Sequence, residues 1–154
     1  MSRNASSSIE CASDVTTFEI ETNRSRFTDL PSYLINAIMG RMARSNDIVA
    51  EHLASVARRR PIERLACLFL EMSYRCVQSG AEPSDHYDFP FTQRDLGDAL
   101  GLTSIHINRL LRTLRDSNLV RFQHRTVELL NRKGLAEIAS FDPIYLSLSA
   151  NSKA

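Results

Sequence analysis

Apolar residues recur along most of this chain at helical spacing and alternate only once. Ile35, Ile38, Met42, Ser45, Val49, His52 and Val56 follow one another in steps of three and four, the repeat of a helix that shows one seam to a partner. They lie in a predicted helix over Leu30 to Arg60, with Asp29 as its cap and Pro31 in its first turn, where a missing N–H is tolerated. Such a helix extends about 45 Å, too long for one side of a small domain to cover. Pairing with a second copy is therefore predicted; an internal core helix is the alternative, because Leu34 and Leu53 broaden the apolar face. His52 is expected to be a tolerated polar position in the seam.

Arg58, Arg59 and Arg60 precede Pro61, whose ring disfavours helical geometry in the residue before it, so a hinge is expected there. The three arginines are expected to form a solvated helix end. Pro61 opens a second helix whose inner face is Ile62, Leu65, Ala66, Phe69, Met72 and Cys76, and Gly80 stops it. A loop from Gly80 to Asp88 leads to the apolar stretch Phe89 to Phe91. Thr92 and Asp95 are spaced as a capping pair for a short helix that ends at Gly101. Thr103 or Ser104 caps the next, which runs to Ser117 with Ile107, Leu110, Leu111 and Leu114 inward. Leu119 to Phe122 and Thr126 to Leu130 alternate about a polar tip, Gln123 to Arg125, as a hairpin does. Asn131 to Ser140 gives a closing helix with Leu135 and Ile138 inward. Near the start, Val15 to Ile20 is rich in β-branched and aromatic residues and could form one strand.

The expected fold is thus mainly α with a small β-hairpin wing: a long dimerisation helix followed by a winged helix-turn-helix domain. The pair of short helices carries the strongest pattern. Counted from Gln93, apolar residues occupy the fourth, eighth, tenth, fifteenth and eighteenth places (Leu96, Leu100, Leu102, Ile107 and Leu110), with Gly97 and Gly101 at the fifth and ninth. Gly97 lets the helices approach, Gly101 supplies a positive φ, and the apolar side chains fill the wedge between them.

Composition changes the picture in three ways. With 43% hydrophobic and 24% charged residues among 154, the chain suits one ordinary domain, without a span of about 18 apolar residues to cross a membrane. A serine-rich start without an apolar stretch is unlike a secretory signal, so a cytoplasmic location is expected. The net charge of +1 hides an asymmetry: residues 103–133 hold seven basic and two acidic residues, a local +5. Cys11, Cys67 and Cys76 are three, widely spaced and lacking a C-x-x-C pair, so free thiols are expected and neither a disulfide framework nor a zinc site. His52, His86, His106 and His124 are scattered, with no catalytic order, metal spacing or phosphate loop beside them. No catalytic residue, metal site or cofactor is expected.

The second short helix would turn Ser104, Ile105, His106, Asn108 and Arg109 outward, with Arg112 and Arg115 further along. These suit the edges of bases in a major groove: arginine reaches guanine, asparagine adenine, and an exposed isoleucine a thymine methyl. Thr92, Thr103, Arg112, Arg115 and, at the hairpin tip, His124 and Arg125 are the candidates for phosphate contact. A merely solvated helix face is the alternative.

The Glu63, Arg64, Leu65 start of the second helix, the run from Phe91 to Leu111 (Phe-Thr-Gln-Arg-Asp-Leu-Gly-Asp-Ala-Leu-Gly-Leu-Thr-Ser-Ile-His-Ile-Asn-Arg-Leu-Leu) and the Leu-Val-Arg-Phe strand resemble the C-terminal part of Crp/Fnr family transcription regulators. The likeness covers about Val15 to Leu146. It implies a dimerisation helix over residues 30–60, a DNA-binding domain over 61–146, a tail over 147–154, and in residues 1–29 a largely irregular remnant of the family's sensor β-roll. It also implies double-stranded DNA and a second copy as partners, with RNA polymerase a further candidate. Two departures stand out: only a last strand of the β-roll is matched, and Ser104 and Ile105 stand where relatives often have an arginine or valine followed by glutamate. Cys11 alone does not supply the cysteine cluster of the iron–sulfur members. A truncated member that pairs with full-length relatives and modulates them is the competing function.

Overall fold

The second helix organises the molecule. In the computed structural model, which describes Cys11, residues 14–17 and residues 30–147, α1 covers Ser32–Arg58 and α2 Pro61–Gln78. Then come β1 His86–Asp88, α3 Gln93–Leu100, α4 Ser104–Asp116, β2 Val120–Gln123, β3 Thr126–Leu129, α5 Arg132–Ala139 and a 3₁₀ turn, Pro143–Leu146. α2 buries seven of its 18 residues, whereas α1 buries only Ser55 of its 27. A helix so little covered by its own chain gains little from packing, although packing of an apolar face is the usual source of helix stability.

The predicted hinge is two residues of extended chain. Arg59 (φ −85°, ψ 145°) and Arg60 (φ −67°, ψ 155°) break the helical path, and Pro61 restarts it as the first residue of α2. Glu63 closes a capping box by accepting from the Arg60 N–H at 2.9 Å. Of the three arginines, Arg59 pairs with Glu51 at 2.6 Å and Arg60 with Glu63 at 2.6 Å. Arg58 and Arg60 are exposed, as expected of a solvated turn or helix end, and Arg59 is the one of the three drawn into a partly buried pair.

Around α2 the core gathers Leu65, Phe69, Leu70, Phe89, Leu96, Ile107, Leu114, Val120, Val127 and Leu135, all 3% exposed or less. Each fully buried side chain of this size contributes about 1.5–3 kcal/mol. Phe69, Phe89 and Phe122 meet with ring centroids 5.7–6.1 Å apart, joining α2, the stretch after β1, and β2. Tyr87 donates its hydroxyl to the Phe69 carbonyl at 2.7 Å.

The sheet is larger than the expected hairpin. β1, which falls in the stretch expected to be a loop, pairs antiparallel with β3, giving the order β1-β3-β2 with Tyr87 and Phe122 both opposite Val127. Arg132 secures that loop by donating to Asp85 Oδ1 (2.7 Å), Ser73 Oγ (2.7 Å) and the Ser84 carbonyl (3.1 Å). In α5, Leu135 is buried as expected, but Ile138 is 37% exposed and Ala139 takes the inner place. Residues 14–17 form no strand; Phe18 to Ile20 and the proposed cap Asp29 lie outside the described residues. α1 instead starts after Pro31, without a side-chain cap.

Candidate nucleic-acid interface

The geometry of α3 and α4 is fixed by three local devices. Thr92 Oγ1 accepts from the Asp95 N–H at 3.3 Å while Asp95 Oδ2 accepts from the Thr92 N–H at 2.6 Å, a reciprocal cap that starts α3. The two bonds that Thr92 donates to Asp95 Oδ2, from its N–H and from its hydroxyl at 2.8 Å, hold the Asp95 carboxyl below its usual pKa. Gly101, at φ 65°, ends α3, and a Cβ at Gly97 would lie 2.6 Å from the Leu102 carbonyl oxygen. No other residue fits position 97 without moving the turn. Thr103 then caps α4 by accepting from the His106 N–H at 3.2 Å. Arg64, from α2, donates to the Leu100 carbonyl at 3.0 Å and so ties the end of α3 to the core.

Ile107, Leu110 and Leu114 are buried beneath α4, and Leu111 is half-buried. Ser104, Ile105, His106, Asn108 and Arg109 are all exposed, as are Arg112 and Arg115. Ile105, at 77%, is the most exposed large apolar residue among those described. Asn108 bends back to donate to the Ser104 carbonyl at 3.1 Å. Arg112 and Arg115 flank Asp116 at 3.6 Å each, loose exposed pairs of little energetic weight.

The local +5 is not all available to an anion. Arg121 pairs with Glu128 at 2.6 Å and Arg132 with Asp85 at 2.7 Å. At the hairpin tip His124 and Arg125 occupy positive φ (50° and 58°), a two-residue turn that matches the twist of the strands. The Phe89 N–H donates to the Arg125 carbonyl at 2.7 Å, which brings the tip beside the segment leading into α3. Arg125 is close enough to Asp95 for its charge to act on that carboxyl. Thr92 and Arg125 therefore belong to one neighbourhood. Arg94, exposed on the first turn of α3, was not singled out by sequence, because no periodicity marks it.

On α1 the expected seam divides. Met42, Val49 and Val56 are more than half exposed, Ile35 and Ile38 less so, and Met39 and Leu53 join the outward stripe. Ser45 and His52 sit where α1 meets its own domain. Rather than being a tolerated polar position, His52 donates through Nε2 to Glu71 Oε2 at 2.8 Å. Glu71, 1% exposed, also accepts from Arg75 (3.0 Å) and from the Tyr145 hydroxyl (3.0 Å). Burial pushes the Glu71 carboxyl up, and the bonds from His52, Tyr145 and Arg75 outweigh it, so its pKa falls below the usual value. The bond to Glu71 likewise raises His52, against its partial burial. Only the Arg75 pair, four residues away, is local; His52 and Tyr145 lie 19 and 74 residues from Glu71, so their part in the cluster was invisible in sequence.

Residues 63–138 match the family model described as a Crp-like helix-turn-helix domain. This part of the chain belongs to the Crp-like helix-turn-helix domains. The chain is similar to the fumarate and nitrate reduction regulatory protein of Yersinia pestis, 34% identical over 77 residues, which are 50% of this chain and 30% of that protein. The nitrogen fixation regulation protein FixK of Rhizobium meliloti (strain 1021) is 25% identical over 137 residues, 80% of this chain and 63% of that one. Among solved structures, FixK2 from Bradyrhizobium japonicum superposes with a TM-score of 0.53 at 27% identity, over 71% of this chain and 50% of that chain. The chain thus spans under two thirds of the length of each. No helix among the described residues is long and apolar enough to cross a membrane. Cys11, Cys67 and Cys76 are free thiols, and burial raises the pKa of Cys67.

Proposed function

We propose that this chain binds an inverted-repeat DNA site as a homodimer, with α4 of each copy in a major groove. The observation that carries this reading is the two-sided character of α4: a fully packed inner face fixes its position, and every residue on the outer face is exposed and able to meet bases or phosphates. Arg109, on the second turn, donates two hydrogen bonds to one guanine per half-site, Asn108 is a weaker base contact, and Ser104, Ile105 and His106 face the neighbouring base pairs. Ile105 favours a thymine methyl. Arg112, Arg115, Thr103 and the wing neighbourhood of Thr92, His124 and Arg125 contact phosphates.

The stripe of Ile35, Ile38, Met39, Met42, Val49, Leu53 and Val56 joins two copies about a two-fold axis, which repeats the half-site in inverted order. Selection from a random DNA pool tests both halves of the proposal. An inverted repeat with centres about 34 Å apart is expected; a selected motif without dyad symmetry overturns the dimeric docking. Affinity should also fall with salt by roughly 0.9 logarithmic units per phosphate contacted, and Arg112→Ala should lower that slope.

The exposed stripe also favours a second reading, in which α1 pairs with a full-length relative and modulates it. A shift of DNA by the purified chain alone supports the homodimer, and a shift only after mixing with such a relative supports the modulator.

A further inference from the structure

A cleft of about 750 Å³ opens on the side of α1 away from the apolar stripe, between α1, the end of α2 and the 3₁₀ turn. It is lined by Arg41, Arg44 and Arg75 together with Ala37, Ile48 and Leu146, and no carboxylate of the described residues lines it. Arg44 donates one guanidinium N–H to Gln78 Oε1 at 3.1 Å, but its Nε is buried with no acceptor among the described residues. A buried charged donor without a partner is costly, and an anion supplying an oxygen removes that cost. The C-terminus of α2 adds roughly half a negative charge, and Glu71 is already shared by Arg75, His52 and Tyr145. Neither balances three guanidiniums.

We propose that this cleft binds a small polyvalent oxyanion, a metabolite bearing carboxylates or a phosphate, held by Arg41, Arg44 and Arg75. The site is separate from the DNA-facing surface. Arg64, which anchors α3, and Gln78 are 14 positions apart on α2, about 21 Å along the helix. Because one wall belongs to α1 and the other to the domain beyond the hinge, a bound anion fastens the two and fixes the angle at which a dimer presents its α4 helices. The cleft is an effector site by position.

Calorimetric titration of the full chain at constant ionic strength, once with citrate and once with inorganic phosphate, tests the proposal. One saturable equivalent per chain is expected, with the tighter of the two probes identifying carboxylate or phosphate as the natural group. Arg44→Gln and Arg41→Ala should each weaken binding about tenfold, the loss of one charge-assisted hydrogen bond. Arg41 is exposed, so its variant keeps the fold. Arg112→Ala should leave binding unchanged. Absence of saturable binding to either anion overturns the proposal, as does binding that survives both cleft variants or that is lost with Arg112→Ala.

Discussion

Two helices of this molecule leave a face uncovered, and the faces differ in kind. α1 turns out Met39, Met42, Val49, Leu53 and Val56; α4 turns out Ser104, His106, Asn108, Arg109 and Arg112. Exposed apolar area is unfavourable in water, so the face of α1 is satisfied by being covered. The face of α4 is well solvated as it stands and gains only when an anion releases its counterions. The inner sides differ in the same sense, α4 resting on buried Ile107, Leu110 and Leu114 and α1 on a more polar seam that includes the contacts of His52 with Glu71 and of Arg44 with Gln78. Each surface should therefore respond to a different class of change.

The largest effect is expected at α1. Met42→Glu with Val49→Glu places four carboxylates in the seam of a symmetric pair, a cost of several kcal/mol that should give monomers in sedimentation. Melting of the winged domain should barely move. An unchanged dimer mass would break the contrast drawn between the two faces. Next is the reverse experiment: Leu114→Ala, at a side chain with no exposure beneath α4, should destabilise the domain by about 2–5 kcal/mol in denaturant melts. The dimer mass should be unaffected.

Much of this was legible because local rules were enough. The glycine and leucine spacing of α3 and α4, the caps at Thr92 and Thr103, and the hinge before Pro61 all depend on neighbours in sequence. What escaped depends on distant partners. β1 offers three residues with a single inward side chain, Tyr87, too few for alternation to be seen, and it exists because β3 has a free edge beside it. Helical spacing points Ile138 inward, yet the wall that α5 faces selects Ala139. His52 fits the heptad by count, and only the fold reveals Glu71 opposite it.

A smaller effect sharpens the α4 side. Arg109→Ala should cost about 1–3 kcal/mol of discrimination at one guanine per half-site and leave the rest of the selected motif intact. A motif that survives the change unaltered moves the base contact elsewhere on the helix. The smallest effect concerns the polar seam between α1 and its domain. His52 has a raised folded pKa, so its contribution is complete below about pH 6.5 and is lost as pH rises through the raised value. Glu71 has a lowered one, so its contribution is present above about pH 4.5 and is lost as pH falls through the lowered value. The stabilising difference between the native chain and His52→Gln should therefore be greatest between these limits and shrink as pH rises through the raised His52 value, as followed by thermal melts. A difference that stays constant across that range would mean that His52 holds Glu71 without its charge.

The hairpin tip has a consequence of its own. Two consecutive residues with side chains, His124 and Arg125, hold a left-handed backbone that asparagine and glycine adopt readily and that other residues adopt at roughly 1–2 kcal/mol each. A chain carrying Asn-Gly at these positions should make the same turn and melt at a higher temperature, while losing the imidazole and guanidinium offered there. The native tip thus keeps a mechanical debt in exchange for two reaching side chains, and relieving that debt separates the firmness of the wing from its grip.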